Sequence, residues 1–204
     1  MGEFMDSTIS RISGSNLLSD QSQEAAWVLE CQHGNAQAFN RLVLKWEKTI
    51  FNLTLRRLRN HHEAEEATQE IFLMAFKGIR RFRRESRFST WLYRISLNHC
   101  SSRIKQRPQG VHLSLDDGSV TPPAENLTVV EAQTGELLRS EKKRRVLEAM
   151  AHLLPEQQDV IELKFFQELT FEEIAGVLDI PLSTIKSRLY SGLEMLKTRL
   201  GNSD

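Results

Sequence analysis

The stretch LTFEEIAGVLDIPLSTIKSRLYSGLEML, Leu169 to Leu196, contains two helix starts separated by one tight turn. Thr170 and Glu173 form a T-x-x-E pattern, in which hydroxyl and carboxylate each accept a hydrogen bond from the other residue's backbone N–H and so start a helix on Phe171. Ile174, Ala175, Val177 and Leu178 give that helix an apolar side, and Asp179-Ile180-Pro181 ends it. In the helix that follows, Ile185, Leu189, Leu193, Leu196 and Leu200 share one face, leaving Ser183, Thr184, Ser187 and Ser191 opposite, with Lys186 and Arg188 on the flanks. This is the outline of a helix-turn-helix. Small hydroxylated residues at the front of the second helix let its backbone approach the major groove, and Lys or Arg can reach phosphates and guanine edges. Helical hairpins of this shape also occur as plain packing units, but the capping pattern and the basic flanks favour DNA.

Working outward, Pro155 suits a helix first turn, and the helix after it should bury some of Val160, Ile161, Leu163, Phe165 and Phe166. Upstream of that, residues 108–135 lose all periodicity and hold three prolines and three glycines, a composition that cannot bury enough apolar surface to offset ordering entropy. The expected organisation is therefore all-α: a tail over 1–20, a helical domain over 21–107, a flexible acidic linker over 108–138 and a second helical domain over 139–204. The opening Met1-Gly2-Glu3-Phe4 before Met5 reads as a cloning remnant.

Charge is segregated along the chain. Lysine plus arginine equal aspartate plus glutamate at 27 each, so no global field draws the molecule to nucleic acid. Yet Lys77 to Arg107 hold ten basic residues against one acid, Glu85, and Pro108 to Leu138 hold five acids (Asp116, Asp117, Glu125, Glu131, Glu136) with no lysine or arginine. The linker acids read either as a solvated spacer or as an imitation of a nucleic-acid strand.

In the first domain, residues 21–31 and 36–59 read as helices parted by Gly34-Asn35, and a third begins near His62. Ala64, Ala67, Ile71, Met74 and Ala75 form its inner face, while Glu63, Glu66 and Glu70 line another side. That acidic line reads either as a solvated face or as a docking stripe for a basic partner. A fourth helix, from about Phe88 to Gln106, carries apolar groups on two sides, with Arg94, Asn98, Ser101 and Lys105 as a polar strip between them. Beside Trp91 and the arginine-rich loop Phe82 to Arg87, such a strip offers phosphate contacts next to stacking platforms, a combination suited to single-stranded nucleic acid. Tryptophan and phenylalanine at this spacing also serve as plain core.

Other classes find little footing. Two cysteines, Cys31 and Cys100, are too few for a disulfide framework, and no secretion signal or membrane-length apolar run is visible, which makes the cytoplasm the expected compartment and a membrane no expected partner. Six histidines show no paired metal spacing, so no cofactor, metal or catalytic residue is expected. A dimeric helix-turn-helix regulator gripping a palindrome remains an alternative for the C-terminal half.

The stretch FRRESRFSTWLYRISLNHC, preceded by EAEEATQEIF and followed across the linker by LLPEQQDVIELKFFQELTFEEIAGVLDIPLSTIKSRL, resembles the extracytoplasmic-function (ECF) group of bacterial sigma-70-family factors over roughly residues 21–107 and 140–200. The resemblance implies core RNA polymerase and promoter DNA as partners, with an anti-sigma protein as a further one. It implies a polymerase-docking segment at Glu63, Glu65, Glu66, Gln69, Glu70 and Phe72. A reader of the opened −10 strand falls on Arg83, Arg84, Arg87, Phe88, Ser89, Thr90, Trp91, Tyr93, Arg94, Asn98 and Lys105, and a reader of duplex −35 DNA on Ser183, Thr184, Lys186, Ser187, Arg188 and Tyr190. Three positions depart from the family pattern: Glu66 for aspartate, Asp179 for the glycine of the turn, and Ser183 for a common glycine, the last expected to shift promoter preference. A linker of about 30 residues reaches near 30 Å, enough to let two readers act on separated DNA elements.

Overall fold

The computed structural model describes residues 21–107 and 144–201, and every described element is helical or a turn. The expected tail, the linker and its five acids lie outside these residues. Helix α1 spans residues 21–32, α2 Ala36–Leu58, α3 His61–Gly78 and α4 Phe88–Gln106. After the linker come α5 (residues 144–150), α6 (Pro155–Ile161) running into a π turn at Glu162–Phe166, α7 (Phe171–Leu178) and α8 (Leu182–Gly201).

Local chemistry sets the boundaries. Asn35 and Asn60 stand in extended backbone at the starts of α2 and α3, and their side-chain oxygens accept from Gln37 N and Glu63 N at 3.0 and 2.9 Å. Arg59 closes α2 in the left-handed region at φ 58°, where its N–H reaches the Leu55 carbonyl. The capping pattern at the start of α7 is complete: Glu173 N donates to Thr170 Oγ1 at 3.1 Å, and Thr170 N to Glu173 Oε2 at 2.9 Å. Asp179 ends α7 at φ 55°, a conformation that aspartate adopts more readily than most residues other than glycine.

Helices α2, α3 and α4 pack against one another, α6 and α7 pack on α8, and α4 meets α7. Leu42, Ile50, Leu53, Ile71 and Leu92 are wholly buried in the first half, Leu163, Ile174 and Ile185 in the second. Each stabilises the fold by about 1.5–3 kcal/mol relative to an exposed side chain. Inside the first core the Thr54 and Thr68 hydroxyls lie 3.0 Å apart, so both polar groups are satisfied away from water.

One expectation about the core needs correction. Met74 is 38% exposed and Phe72 takes its place inside, because the buried side of α3 is centred on Ala64, Ala67, Ile71 and Ala75. Of the five apolar residues offered for burial after Pro155, Val160, Ile161 and Leu163 are inside, while Phe165 and Phe166 stay at the surface, since the π turn spreads five residues over what would be a helical repeat and carries the ring of Phe166 under the Arg56 guanidinium, 4.2 Å from its centroid. The two halves are in contact through α4 and α7.

Candidate nucleic-acid interface

On α8 the apolar stripe is inside, with Ile185, Leu189 and Leu196 buried, and Gly192 lets α6 close in, since a Cβ there would lie 3.0 Å from Ile161 Cδ1. The opposite face meets solvent: Ser183, Lys186, Ser187 and Tyr190 are exposed, the last at 65%, while Thr184 and Arg188 are half-buried. Lys186 Nζ lies 5.8 Å from the Phe171 ring, which holds the ammonium beside the front of α8. All six −35 candidates are therefore on one accessible surface or its edge.

The −10 candidates divide. Arg83, Arg84, Arg87, Arg94, Asn98 and Lys105 are exposed, and Ser89 and Trp91 are half-buried. Phe88, Thr90 and Tyr93 are buried. The Trp91 ring stacks on Phe82 with centroids 5.0 Å apart, tilts against Phe88 at 5.7 Å and covers Gly78, where a Cβ would lie 3.0 Å from its Cζ2. These contacts lock the ring as the outer wall of an aromatic cluster, with one edge in solvent.

The acidic line of α3 is not an unpartnered stripe. Arg103 donates to Glu66 at 3.2 Å and Glu70 at 2.8 Å, Arg107 to Glu63, and His99 Nε2 lies 2.8 Å from Glu70. The Arg103 hydrogen bond holds the Glu70 carboxyl below its usual range. Basic residues at 103 and 107 facing acids at 63, 66 and 70 were a readable complement, one helical turn apart on each side. Glu65 and Gln69 point outward instead, in line with exposed Leu73 and Phe76, two apolar residues that charge patterning alone overlooked. Phe72, expected at the docking surface, is 7% exposed and belongs to the core.

A further set of residues was invisible in the sequence. Arg56, at the end of α2, donates to both Glu162 oxygens at 2.7 and 2.6 Å, and Glu162 is 1% exposed. Arg57 Nη1 donates to Gln158 at 2.6 Å, and its Nη2 lies 3.0 Å from Asp159 Oδ1 without the alignment of a hydrogen bond. Burial pushes the Asp159 carboxyl up to about 6 despite that arginine. Arg94 donates to the carbonyls of Val177, at 3.1 Å, and Gly176; Arg87 donates to Glu173 at 2.8 Å, and Tyr93 Oη to Gln167 at 2.9 Å. A cleft of about 540 Å³ opens along this seam, lined by Glu24, Trp46, Arg84, Arg87, Gln167 and Glu173 among others. Among the described residues no group of three His, Cys, Asp or Glu side chains could hold a metal ion, and no helix is long and apolar enough to cross a membrane. Burial pushes the Cys100 thiol up to about 12, which makes it a core residue and a poor nucleophile.

The sequence pattern described as Sigma-70 region 2 matches residues 42–108, and that described as Sigma-70, region 4 matches residues 143–196. The ECF RNA polymerase sigma-E factor of Haemophilus influenzae is 30% identical over 90% of this chain and 98% of its own length. ECF RNA polymerase sigma factor SigW of Bacillus subtilis is 30% identical over 85% and 94%. In fold, the chain is similar to CnrH, solved with the cytosolic domain of CnrY, at a TM-score of 0.66 over 89% of this chain and 99% of that one, with 18% identity. It is also similar to RpoE of Bartonella quintana, solved with the anti-sigma factor NepR, at 0.62 over 83% and 100%, with 22% identity. Two matched regions in order on an all-helical frame, and curated relatives matched nearly end to end, establish that this chain belongs to the ECF sigma factors of the sigma-70 family.

Proposed function

We propose that the chain directs promoter-specific initiation through three surfaces, with residues 21–107 and 139–204 as working units and 108–138 as their connector. It acts as a cytoplasmic initiation factor, without catalysis of its own. The outer edge of α3 docks on core polymerase: Leu73 and Phe76 form an apolar centre, rimmed by Glu65, Glu66, Gln69 and Glu70. The exposed strip of α4, with Arg87, Arg94, Asn98 and Lys105 beside Trp91, captures the opened −10 strand. Extruding a base costs a few kcal/mol, which stacking and phosphate neutralisation offset. The solvent face of α8 reads duplex −35 DNA through Ser183, Thr184, Lys186, Ser187, Arg188 and Tyr190.

The observation that carries this reading is the pairing of two basic surfaces in one chain, one on α4 and one on α8. A helix-turn-helix regulator needs only the second. Because one solved chain of this fold was captured with an anti-sigma factor, a protein inhibitor belongs among the proposed partners. Run-off transcription with core polymerase on a promoter library tests the proposal. Discrete products from a subset of promoters are expected, whereas duplex binding with no polymerase-dependent transcript favours the regulator.

A further inference from the structure

The start of α7 is crowded with acid. Glu168 and Glu172 are exposed there and Glu173 is half-buried beside them, although in a helix-turn-helix this first helix crosses the DNA backbone. Glu173 is engaged by Thr170 N and Arg87, but the two exposed carboxylates repel phosphate. A duplex seated on α8 therefore needs cations close to them.

Two are present, and one aromatic ring gathers both. Lys164 comes from the π turn, with its Nζ 5.0 Å from the centroid of the half-buried Phe171 ring, and Lys186 comes from the front of α8 to 5.8 Å from the same ring. Lys164 Nζ also donates to the Leu169 carbonyl at 3.0 Å, which fixes the ammonium and leaves N–H donors over. Among the described residues neither lysine forms an ion pair. The negative face of the ring draws both ammonium groups in while they repel each other, and an anion beside them relieves that repulsion.

We propose that Phe171 is a positioning residue for duplex binding, whose ring sets Lys164 and Lys186 as a pair of phosphate contacts at the start of α7. Lys164 then belongs to the −35 surface although it lies outside both helices of the motif. The pair touches backbone and not base edges, so its contribution to affinity is blind to sequence. The inference rests on the reading of α8 as the duplex-binding face.

The test titrates the full-length chain, without polymerase, against a fluorescein-labelled pool of random duplexes of about 25 base pairs at several salt concentrations. The slope of log affinity against log salt counts the phosphates neutralised. Lys164→Ala should lower that slope by about one and weaken binding several-fold, as should Lys186→Ala, while Lys164→Arg keeps the slope. Phe171→Leu leaves the charge count alone and removes the ring. It should weaken binding about as much as the loss of one lysine, with Phe171→Tyr restoring it, and in its background Lys164→Ala should cost less than in the parent. Phe171→Met, also without a π face, takes the place of the leucine variant if that one fails to fold. Sequences selected from the pool should be the same for the parent, Lys164→Ala and the ring variants. The proposal is overturned if Lys164→Ala leaves the slope unchanged, if removing the ring leaves binding at the parent level, or if either change shifts the selected sequence. Failure of the underlying reading has its own signature: Ser187→Glu, which puts a carboxylate on the exposed front of α8, would then bind duplex as well as the parent.

Discussion

Two basic helices in this molecule face different neighbours. On α4 and at its two caps, four arginines are already engaged: Arg94 and Arg87 by α7, Arg103 and Arg107 by the carboxylates of α3. On α8 the front half looks into solvent, with Ser183, Lys186 and Ser187 exposed and the leucine stripe behind them. Both stretches read in the sequence as nucleic-acid surfaces. The difference teaches that charge pattern locates a cation and says nothing of who holds it. A long, mobile guanidinium finds the nearest acceptor available, in its own chain if none comes from outside.

The sharpest way to break the comparison is at Trp91. If the ring is mainly a wall of the Phe82–Phe88 cluster, Trp91→Ala should destabilise the first half by about 3–5 kcal/mol in denaturant unfolding. A variant that keeps parent stability yet fails to open promoters would instead make the ring a stacking platform, and α4 would then be as available as α8.

Next in size is a pH effect confined to the seam. Asp159 is pushed from 3.8 up to about 6, first by burial, with Glu156 and Glu162 adding to the rise and Arg57 and Arg188 opposing it. With the folded value raised, ionisation is disfavoured in the folded chain, so stability falls as pH rises from about 4 through 6 and is regained on acidification. The shift corresponds to at most about 3 kcal/mol. Denaturation midpoints should rise between pH 7.5 and 5, and Asp159→Asn should flatten that slope; a slope unchanged by the substitution would acquit the seam.

Why the seam was hidden and the rest was not follows from sequence separation. The helix-turn-helix is a local object: Thr170, Glu173, Asp179 and Pro181 act within a dozen residues, and each boundary they imply matches the structure. The apolar stripes of α3 and α8 are likewise periodic, failing only at Met74, where a neighbouring phenylalanine took the inner position. Arg56 and Glu162 are 106 positions apart across a linker whose composition speaks for separation. Two arginines closing a helix read as ordinary partners of its dipole. Their acceptors exist only once the second half has folded, so no window of sequence contains the pair.

A smaller effect sharpens the other side of the comparison. Arg188, half-buried at the edge of the α8 face, should cost about 1–3 kcal/mol of duplex −35 affinity when changed to alanine if it makes a two-pronged base contact, and less if it touches phosphate alone. Competition titrations against mutated −35 duplexes separate the cases, because only a base contact relaxes specificity at one position.

The smallest expected change in stability comes from the outer edge of α3, where it is also the most informative. Glu66→Lys with Glu70→Lys should abolish core binding, but both carboxylates also serve Arg103, so the double variant sets four cationic or ring-nitrogen groups against one another inside the chain. Loss of docking there has two causes. Glu65 avoids the ambiguity, since no arginine or lysine pairs with it among the described residues, its neighbour His61 lies 3.5 Å away on the same helix, and more than half of its side chain is in water. Exposed pairs of this kind contribute well under 1 kcal/mol, so Glu65→Lys should leave the unfolding midpoint nearly where it was. If α3 meets a basic surface on polymerase, the reversed charge should still weaken co-purification with core enzyme at least tenfold. Parent-like co-purification by Glu65→Lys, alongside loss in the Glu66→Lys, Glu70→Lys variant, would make the acids of α3 a brace for α4 and leave Leu73 and Phe76 as the docking surface.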